Sequence, residues 1–292
     1  MKKISYSILI PSFNGLALLK KHLPDIIEHS PNLTRLIIVD NGSTDGTFEY
    51  LTSKYPDIVL CIRNEKNLFF TIAVNQGFRE ANTDLIVLLN NDVHPQKGYL
   101  PSALSHFDDK SVFAVTFNET TSSWPQVSWR GKLQYLRGED KSLPHLSAWA
   151  SGGSAVFRKS IWDELGGLDE IYSPGYWEDI DIGWRAWKDG YRIIWEPDAR
   201  VTHQHESSFS LLNREYISLI KQRNELIFNW KNITDPAMRR EHFRYLFHHV
   251  LFHPGYLKVI FSALRVIKNA QPLAKAIHTD KEVLSLINQP FS

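Results

Sequence analysis

The first hundred residues alternate short, continuous apolar runs with segments of helical spacing, and no other feature limits the fold as strongly. The apolar runs have the length of buried strands and occupy residues 7–10, 36–39, 58–62 and 85–89. The helical segments occupy residues 16–27, 46–54 and 72–81. Strands that alternate with helices pair in parallel through right-handed crossovers, and uninterrupted apolar runs indicate helices on both faces of the sheet. The sequence therefore predicts an α/β fold with a mostly parallel sheet.

Clusters of polar residues directly follow three of these predicted strands. They occupy residues 11–15, 40–46 and 90–92. Open α/β sheets bind their ligands at the carboxyl ends of the strands, which is where these clusters lie. Asp40 can accept the imide N–H group of a pyrimidine base, and Asp92 can bind Mg²⁺ or Mn²⁺, which prefer oxygen ligands. Each cluster taken alone is also consistent with a turn that caps the next helix.

A further group of carboxylates occupies residues 177–181, at the start of another predicted helix. Acidic side chains complement the helix dipole there, and Asp181 can pair with Arg185 one turn later. This structural interpretation fits Asp181 better than Glu178 and Asp179, which follow two aromatic residues. A carboxylate held among aromatic rings can have a raised pKa and act as a base. The neighbouring rings can also stack on a sugar.

Beyond the first hundred residues the chain divides into an irregular segment, a second set of regular elements and a helical end. Residues 118–144 lack a regular pattern, which predicts a lid or a binding loop. Helices are predicted at residues 159–165 and 179–190, and strands at residues 191–195 and 199–202. From residue 209 onward the pattern is helical. We therefore expect a main α/β domain over residues 1–208 and a helical region over residues 209–292.

Basic and apolar side chains are interleaved in the helical region. Helices of this kind can lie on an anionic membrane, and they can equally form a packed bundle with a solvated face. No run in the sequence approaches the ~18–20 apolar residues of a spanning helix. The sequence therefore predicts that any contact with a membrane is peripheral.

Composition excludes some classes of function. The net charge of +1 gives no general attraction for nucleic acid, so we expect no nucleic-acid partner. The single cysteine, Cys61, excludes a disulfide framework within the chain, which fits a reducing compartment. We therefore expect a cytoplasmic protein.

Taken in order, the motifs resemble those of the inverting family 2 glycosyltransferases. The matching segments are residues 11–15, 39–47, 89–92, 151–155, 166–170 and 178–185. Their order and spacing agree with the family over about residues 4–230, and the nearest subgroup looks like the rhamnosyltransferase-like enzymes of bacterial surface polysaccharides. The resemblance implies a GT-A fold, which is a Rossmann-like, mostly parallel sheet flanked by helices. Residues 1–208 would form the nucleotide-sugar-binding and catalytic domain, with a C-terminal helical extension.

The resemblance also implies roles for individual residues. The nucleotide would be bound by Pro11, Ser12, Phe13, Asn14, Asp40, Asn41 and Asn91. A divalent cation, Mn²⁺ or Mg²⁺, would be held by Asp92 and His203, although His203 by itself is better explained as a structural or surface histidine. Asp179 would be the catalytic base. The substrate would be contacted by Glu178, Trp177, Gly152 and Gly153.

The implied reaction moves a sugar, with rhamnose suggested by the subgroup, from a dTDP-, UDP- or GDP-sugar to a glycan or lipid-linked glycan. A lipid-linked acceptor would place the protein at the inner face of the plasma membrane. Two departures from the family pattern stand out: Asn90 replaces the first carboxylate of the DxD-type motif, and the loop at residues 67–77 lacks its usual glycine after Asn67. The first departure motivates an alternative, a non-catalytic protein that binds carbohydrate or nucleotide sugar. A sugar nucleotidyltransferase is disfavoured, because no glycine-rich basic loop follows the first strand.

Overall fold

The structure is a computed structural model that describes residues 4–120, 123–203, 213–271 and 276–291. Its amino-terminal part alternates strands and helices as the sequence predicts. These elements are β1 (Tyr6–Ser12), α1 (Leu16–Glu28), β2 (Arg35–Asp40), α2 (Thr47–Lys54), β3 (Val59–Arg63), α3 (Phe69–Glu80) and β4 (Leu85–Leu89). Strand β1 pairs in parallel with both β2 and β4, and β2 pairs in parallel with β3. The carboxyl ends of these strands therefore share one edge of the sheet.

The second part of the chain extends the same sheet and adds helices. Its elements are β5 (Val93–Pro95), α4 (Tyr99–Ser105), β6 (Val112–Glu119), β7 (Pro125–Trp129), β8 (Leu133–Arg137), β9 (His145–Leu146), β10 (Ser154–Arg158), α5 (Lys159–Glu164), α6 (Glu178–Lys188) and β11 (Arg192–His203). The strand order is β3-β2-β1-β4-β10-β6-β11-β5, with β9 on β11. Strand β10 lies antiparallel between β4 and β6, while β6 and β11 are parallel. The predicted α/β class with a mostly parallel central sheet is confirmed.

Two sequence-based expectations are wrong. The segment 118–144 contains the β7–β8 hairpin, which the sequence hides because its five-residue strands mix polar side chains with the buried Val127 and Leu133. Residues 192–195 and 199–202, which the sequence assigns to two strands, belong to the single strand β11, whose register shifts between Glu196 and Arg200. The bend interrupts the apolar pattern without ending the strand.

The core forms one layer on each face of the sheet, since alternate side chains of a strand point to opposite faces. The C-terminal helices are α7 (Arg214–Asn232), α8 (Pro236–Phe252), α9 (Leu257–Val266) and α10 (Asp280–Ile287). They share the layer that contains Leu9 and Ile86, to which they contribute Phe228, Met238 and Val283. The domain boundary expected at residue 208 lies outside the described residues, and the division into domains stays a prediction. Within the described parts of the chain, no helix is long and apolar enough to cross a membrane.

A buried ion pair joins helix α10 to helix α6. Lys188 Nζ lies 2.7 Å from Asp280 Oδ1, and both side chains are almost fully buried. The other oxygen of Asp280 accepts hydrogen bonds from the backbone N–H groups of Thr234 and Asp235, at 2.7 and 2.6 Å. Asp280 therefore connects α6, α10 and the turn between α7 and α8.

Asp280→Ala should lower the free energy of unfolding by about 3–5 kcal/mol, because it leaves the Lys188 charge buried without its partner. Urea denaturation would measure the loss. Lys281→Ala is the matched control, since it removes the neighbouring ion pair to Asp235 from a side chain that is 66% exposed. We expect no measurable change for this control. Equal losses in the two variants would contradict the structural role of the buried pair.

Candidate active site

The loops that follow β1, β2 and β4 meet at the carboxyl edge of the sheet. Asn91 Nδ2 donates a hydrogen bond to Ser12 Oγ at 3.1 Å. The backbone N–H of Asn14 donates to Ser43 Oγ at 2.8 Å, and Asn14 Oδ1 accepts from the N–H of Thr44 at 2.9 Å. The fold thus brings together three motifs that are far apart in sequence. Pro11 and Ser12 are the last residues of β1, and the half-buried Phe13 follows them.

Asp40 and Asn41 differ in what they contact. Asp40 is fully buried, and its Oδ1 accepts from the N–H of Ser43 at 3.0 Å. Its Oδ2 has no hydrogen-bond partner among the described residues. A buried oxygen of this kind needs a donor, which agrees with the predicted contact to a base. Asn41 instead holds the loop after β3 through two hydrogen bonds. Its Nδ2 donates to Asn67 Oδ1 at 2.9 Å, and its Oδ1 accepts from the N–H of Leu68 at 3.0 Å.

The loop after β3 keeps a glycine-like backbone although its usual glycine is missing. Phe69 has a φ of +66°, in the left-handed region that glycine adopts at low cost. The Asn67 side chain supports this conformation, because its Oδ1 accepts from the N–H of Phe69 at 2.8 Å. The ring of Phe69 is 42% exposed. The departure in sequence is therefore accommodated by a local hydrogen bond.

Three titratable side chains cluster where β4, β6 and β11 end. His203 Nε2 lies 3.1 Å from Asp92 Oδ1, and His203 Nδ1 lies 3.3 Å from Glu119 Oε1. Both carboxylates are buried. Glu119 also accepts a hydrogen bond from Ser154 Oγ at 2.6 Å. The sequence predicts the pair Asp92 and His203 but not Glu119. The only sequence signal for Glu119 is a carboxylate at the carboxyl end of an apolar strand.

The donor atoms of this cluster are of the types that bind a divalent cation. Carboxylate oxygens and a neutral imidazole are ligands that Mn²⁺ accepts. Burial opposes a charge on His203, but Asp92 and Glu119 outweigh it and raise the pKa of the imidazole to about 9. The two carboxylates thus make the cluster attractive to positive charge. Among the described residues, however, no three His, Cys, Asp or Glu side chains are already arranged as a metal site.

Glu178 and Asp179 open helix α6 and differ in their surroundings. Glu178 is buried, and its Oε2 has no hydrogen-bond partner in the described part of the chain. Burial, with the neighbouring charge of Asp179, raises the pKa of Glu178 to about 8. Burial also raises the pKa of Asp179, to about 6, although the N–H groups of Ile180 and Gly152 favour its charged form. Asp179 keeps more contact with solvent. At neutral pH, Asp179 is therefore the ionised member of the pair.

Helix α7 holds the loop that precedes this pair. Tyr176 and Trp177 have φ values of +72° and +78°, an unusual conformation for two consecutive non-glycine residues. The side chain of Asn224 is fully buried, and its Nδ2 lies 2.8–2.9 Å from the carbonyl oxygens of Tyr172, Gly175 and Tyr176. Asn224 therefore fixes the strained turn that directs Asp179. The sequence gives no signal for it, because an Asn within a helix is usually solvated.

Asp181 anchors the same helix from its buried side. Its oxygens accept hydrogen bonds from Tyr172 Oη, Arg185 Nε, Lys231 Nζ and Asn232 Nδ2, at 2.8–2.9 Å. Burial opposes its charge, but Arg185 and Lys231 outweigh that effect and lower the pKa of Asp181 to about 2. The structure thus contains the pair with Arg185 that the sequence predicts. Asp181 is a structural residue, in contrast to its two acidic neighbours.

Asp179 lies between two open cavities. The larger has a volume of about 690 Å³, and its aromatic walls include Tyr135, Trp149, Tyr176 and Trp177. The smaller has a volume of about 260 Å³ and is lined by Glu119, among others. Both cavities include Tyr135, Trp149 and Asp179 in their walls. A carboxylate at this junction can contact groups that enter from either side.

Gly152 and Gly153 occupy the strip between Asp179 and the loop after β4. The N–H of Gly152 lies 3.4 Å from Asp179 Oδ2. A Cβ atom on Gly153 would lie 2.4 Å from Asn90 Nδ2, so a side chain there would require the Asn90 side chain to move. The structure therefore brings the two predicted glycines beside the candidate base and Asn90. Trp177 packs against α7, with its ring centroid 5.2 Å from that of Phe228.

Comparison with known proteins identifies similar sequences. Residues 7–166 match the family model described as Glycosyl transferase family 2. The chain is 29% identical over 181 residues to the pre-mycofactocin glycosyltransferase of Mycobacterium tuberculosis. The match covers 59% of this chain and 38% of that protein. It is 25% identical over 210 residues to the N-acetylglucosaminyl-diphospho-decaprenol L-rhamnosyltransferase of the same species, covering 59% of this chain and 67% of that one. The chain thus matches well under half of the length of the first of these relatives.

Solved structures share the fold. GalNAc-T7 with UDP, GalNAc and Mn²⁺ superposes with a TM-score of 0.65 at 16% identity, covering 81% of this chain and 49% of that one. S. aureus TarS with UDP-GlcNAc superposes with a TM-score of 0.62 at 14% identity, covering 92% and 82% of the two chains. The predicted GT-A fold is confirmed.

Proposed function

Because this chain belongs to glycosyltransferase family 2, we propose that it transfers a sugar from a nucleotide-diphosphate sugar to a glycan acceptor with inversion of configuration. The observation that carries the proposal is the place of Asp179, an ionisable carboxylate at the junction of two cavities. A donor on one side and an acceptor on the other would meet at this side chain. The nucleotide ligands of the structural relatives support a nucleotide-sugar donor.

In the proposed reaction, Asp179 accepts the proton of an acceptor hydroxyl group. The resulting oxygen nucleophile attacks the anomeric carbon from the face opposite the nucleotide, through an oxocarbenium-like transition state. The bond from the anomeric carbon to the diphosphate oxygen breaks, and the nucleoside diphosphate leaves. Burial raises the pKa of Glu178 to about 8, which favours its protonated form, and in that form it can donate a hydrogen bond to a sugar hydroxyl. Fixed positioning of both substrates supplies much of the remaining acceleration.

Asp92 and His203 would hold a divalent cation beside the donor. The buried carboxylate of Glu119 supports this assignment, because it adds negative charge next to His203. When bound, a cation supplies Lewis-acid stabilisation of the charge on the leaving diphosphate. One structural relative is crystallised with Mn²⁺, which supports the choice of metal.

The larger cavity fits a sugar acceptor. Its walls combine four aromatic rings with the polar side chains of Gln134, Lys221 and Gln222. Aromatic faces can stack on the apolar face of a sugar ring, and the polar groups can bind hydroxyls. A relative named for rhamnosyl transfer to N-acetylglucosaminyl-diphospho-decaprenol supports a lipid-linked acceptor and rhamnose as the sugar. The donor would enter at the edge formed by Ser12, Asp40 and Asn91.

Asp179→Asn should lower kcat by about 10²- to 10⁴-fold while the affinity for nucleotide sugar changes little, because only proton transfer is lost. Release of nucleoside diphosphate measures turnover, and calorimetry measures donor binding. Glu178→Gln is the matched control, since it replaces a neutral carboxyl group with an amide of the same shape. We expect this variant to retain most of its activity. Full activity in Asp179→Asn would exclude this residue as the base.

The pH dependence of kcat/KM gives an independent test of the base. A base must be ionised, so activity should fall as pH drops below about 6, the raised pKa of Asp179, rather than near the ordinary aspartate value of about 4. The pH at which activity falls should be unchanged in Glu178→Gln, because burial is the main cause of the raised pKa of Asp179. A fall in activity near pH 4 would indicate that an exposed carboxylate accepts the proton instead of Asp179.

Calorimetry with UDP-, dTDP- and GDP-sugars, with and without Mn²⁺, should find one nucleotide class whose binding strengthens with metal. Asp92→Asn should abolish the metal-dependent gain in affinity, whereas the exposed Asp108→Asn should not. Binding without turnover would favour the non-catalytic alternative. Absence of binding to every donor by a demonstrably folded protein would overturn the proposed function.

A further inference from the structure

Helices α8 and α9 expose an apolar surface that the reaction does not use. It consists of Phe243, Phe247, Leu251, Phe252, Leu257, Phe261 and Leu264, which we call the apolar ridge. These are seven of the fourteen large apolar side chains that are exposed among the described residues. The seven fall within 22 consecutive positions. Concentration of this kind marks an interaction surface, whereas single exposed apolar residues are normal.

The ridge is continuous across the two helices. Phe243, Phe247 and Leu251 are spaced by four residues, so they lie along one face of α8. Leu257, Phe261 and Leu264 are spaced by four and then three residues, which also places them on one face of α9. Phe243 and Leu264 line one apolar cavity of about 250 Å³, which joins the two rows. The exposed fractions of these side chains reach 74%, at Phe252.

The charged side chains around the ridge are mostly basic. Residues 236–269 contain six Lys and Arg side chains, and all six are exposed: Arg239, Arg240, Arg244, Lys258, Arg265 and Lys268. The same segment contains a single acidic residue, Glu241, which accepts a hydrogen bond from Trp129 Nε1 at 2.8 Å. The net charge of the whole chain is only +1, so positive charge is concentrated here.

We propose that the apolar ridge and its basic border bind the surface of an anionic phospholipid bilayer. Apolar side chains insert at the boundary between headgroups and acyl chains, while Lys and Arg side chains attract the anionic headgroups. A second copy of the chain is a poorer occupant, because two such faces would bring like charges together. The charge pattern therefore selects a membrane over self-association.

The ridge is fixed to the wall of the larger cavity. His242 Nδ1 lies 2.6 Å from the carbonyl oxygen of Gly131, in the turn of the β7–β8 hairpin. Lys132 Nζ lies 5.7 Å from the ring centre of Tyr245 on α8. Lys132 and Tyr135 of the same hairpin line the cavity. Membrane binding would thus hold the cavity near lipid-linked acceptors, a consequence that rests on the proposed function, whereas membrane binding itself does not.

Flotation of the full chain with phospholipid vesicles tests the proposal. The protein should bind vesicles that contain phosphatidylglycerol more strongly than vesicles of phosphatidylcholine alone, and added salt should weaken the binding. The triple ridge variant carries Phe247→Ser/Leu251→Ser/Phe261→Ser. It should lower the vesicle partition coefficient by at least about tenfold. Its matched control is Leu143→Ser/Ile277→Ser, which removes exposed apolar side chains outside the ridge and should not change binding.

A charge variant separates the electrostatic contribution. Arg240→Gln/Arg244→Gln should weaken binding to anionic vesicles by about tenfold and leave binding to neutral vesicles unchanged. The control is Lys97→Gln/Lys110→Gln, at exposed sites elsewhere. Circular dichroism and nucleotide-sugar binding would show that every variant is folded.

Two results would overturn the membrane proposal. One is a folded wild-type protein that leaves anionic vesicles unbound. The other is a concentration-dependent dimer in analytical ultracentrifugation that the triple ridge variant abolishes, without vesicle binding by the wild type. Because vesicle binding needs no catalysis, vesicle binding without sugar transfer would contradict only the proposed function.

Discussion

The buried carboxylate of Asp181 makes the interactions on which the geometry of the candidate active site depends. It joins Arg185 in its own helix to Lys231 and Asn232 in α7, and to the Tyr172 hydroxyl group in the loop before α6. Removing one partner of a buried ion pair costs about 3–5 kcal/mol, so these elements are held as a unit. The first turn of α6 therefore has a fixed position relative to α7 and to the loop before α6, as a positioned base requires.

Three acidic residues in one helical turn acquire different properties from their surroundings. Two cationic side chains, Arg185 and Lys231, stabilise the charged form of Asp181, so its carboxylate stays ionised at low pH. Glu178 is buried without such a partner, and its pKa rises to about 8. Asp179 lies between these extremes, with backbone N–H groups that partly offset its burial. A carboxylate whose pKa lies near 6 is ionised at neutral pH and still basic enough to accept a proton. The surroundings of one helical turn thus give three similar carboxylates different tendencies to ionise.

The sequence predicts what depends on local pattern and fails where the fold brings distant residues together. Strands β1 to β4 are predicted within two residues of their ends, because their apolar runs are continuous. The polar loops after three of them are predicted too, since parallel strands place those loops at one edge. Glu119 and Asn224 are missed, because one ends an apolar strand and the other lies within a helix. Only their tertiary contacts, to His203 and to the loop before α6, distinguish them from ordinary residues.

The β7–β8 hairpin, which the sequence presents as an irregular segment, links the two proposals. On one side it contributes Tyr135 to the wall shared by both cavities. On the other side its turn contacts α8 through Gly131 and His242. A surface-bound enzyme meets a lipid-linked acceptor at a far higher effective concentration than a freely diffusing one. In the combined proposal, the contacts between this hairpin and α8 would let orientation on the bilayer also orient the acceptor hydroxyl group toward Asp179.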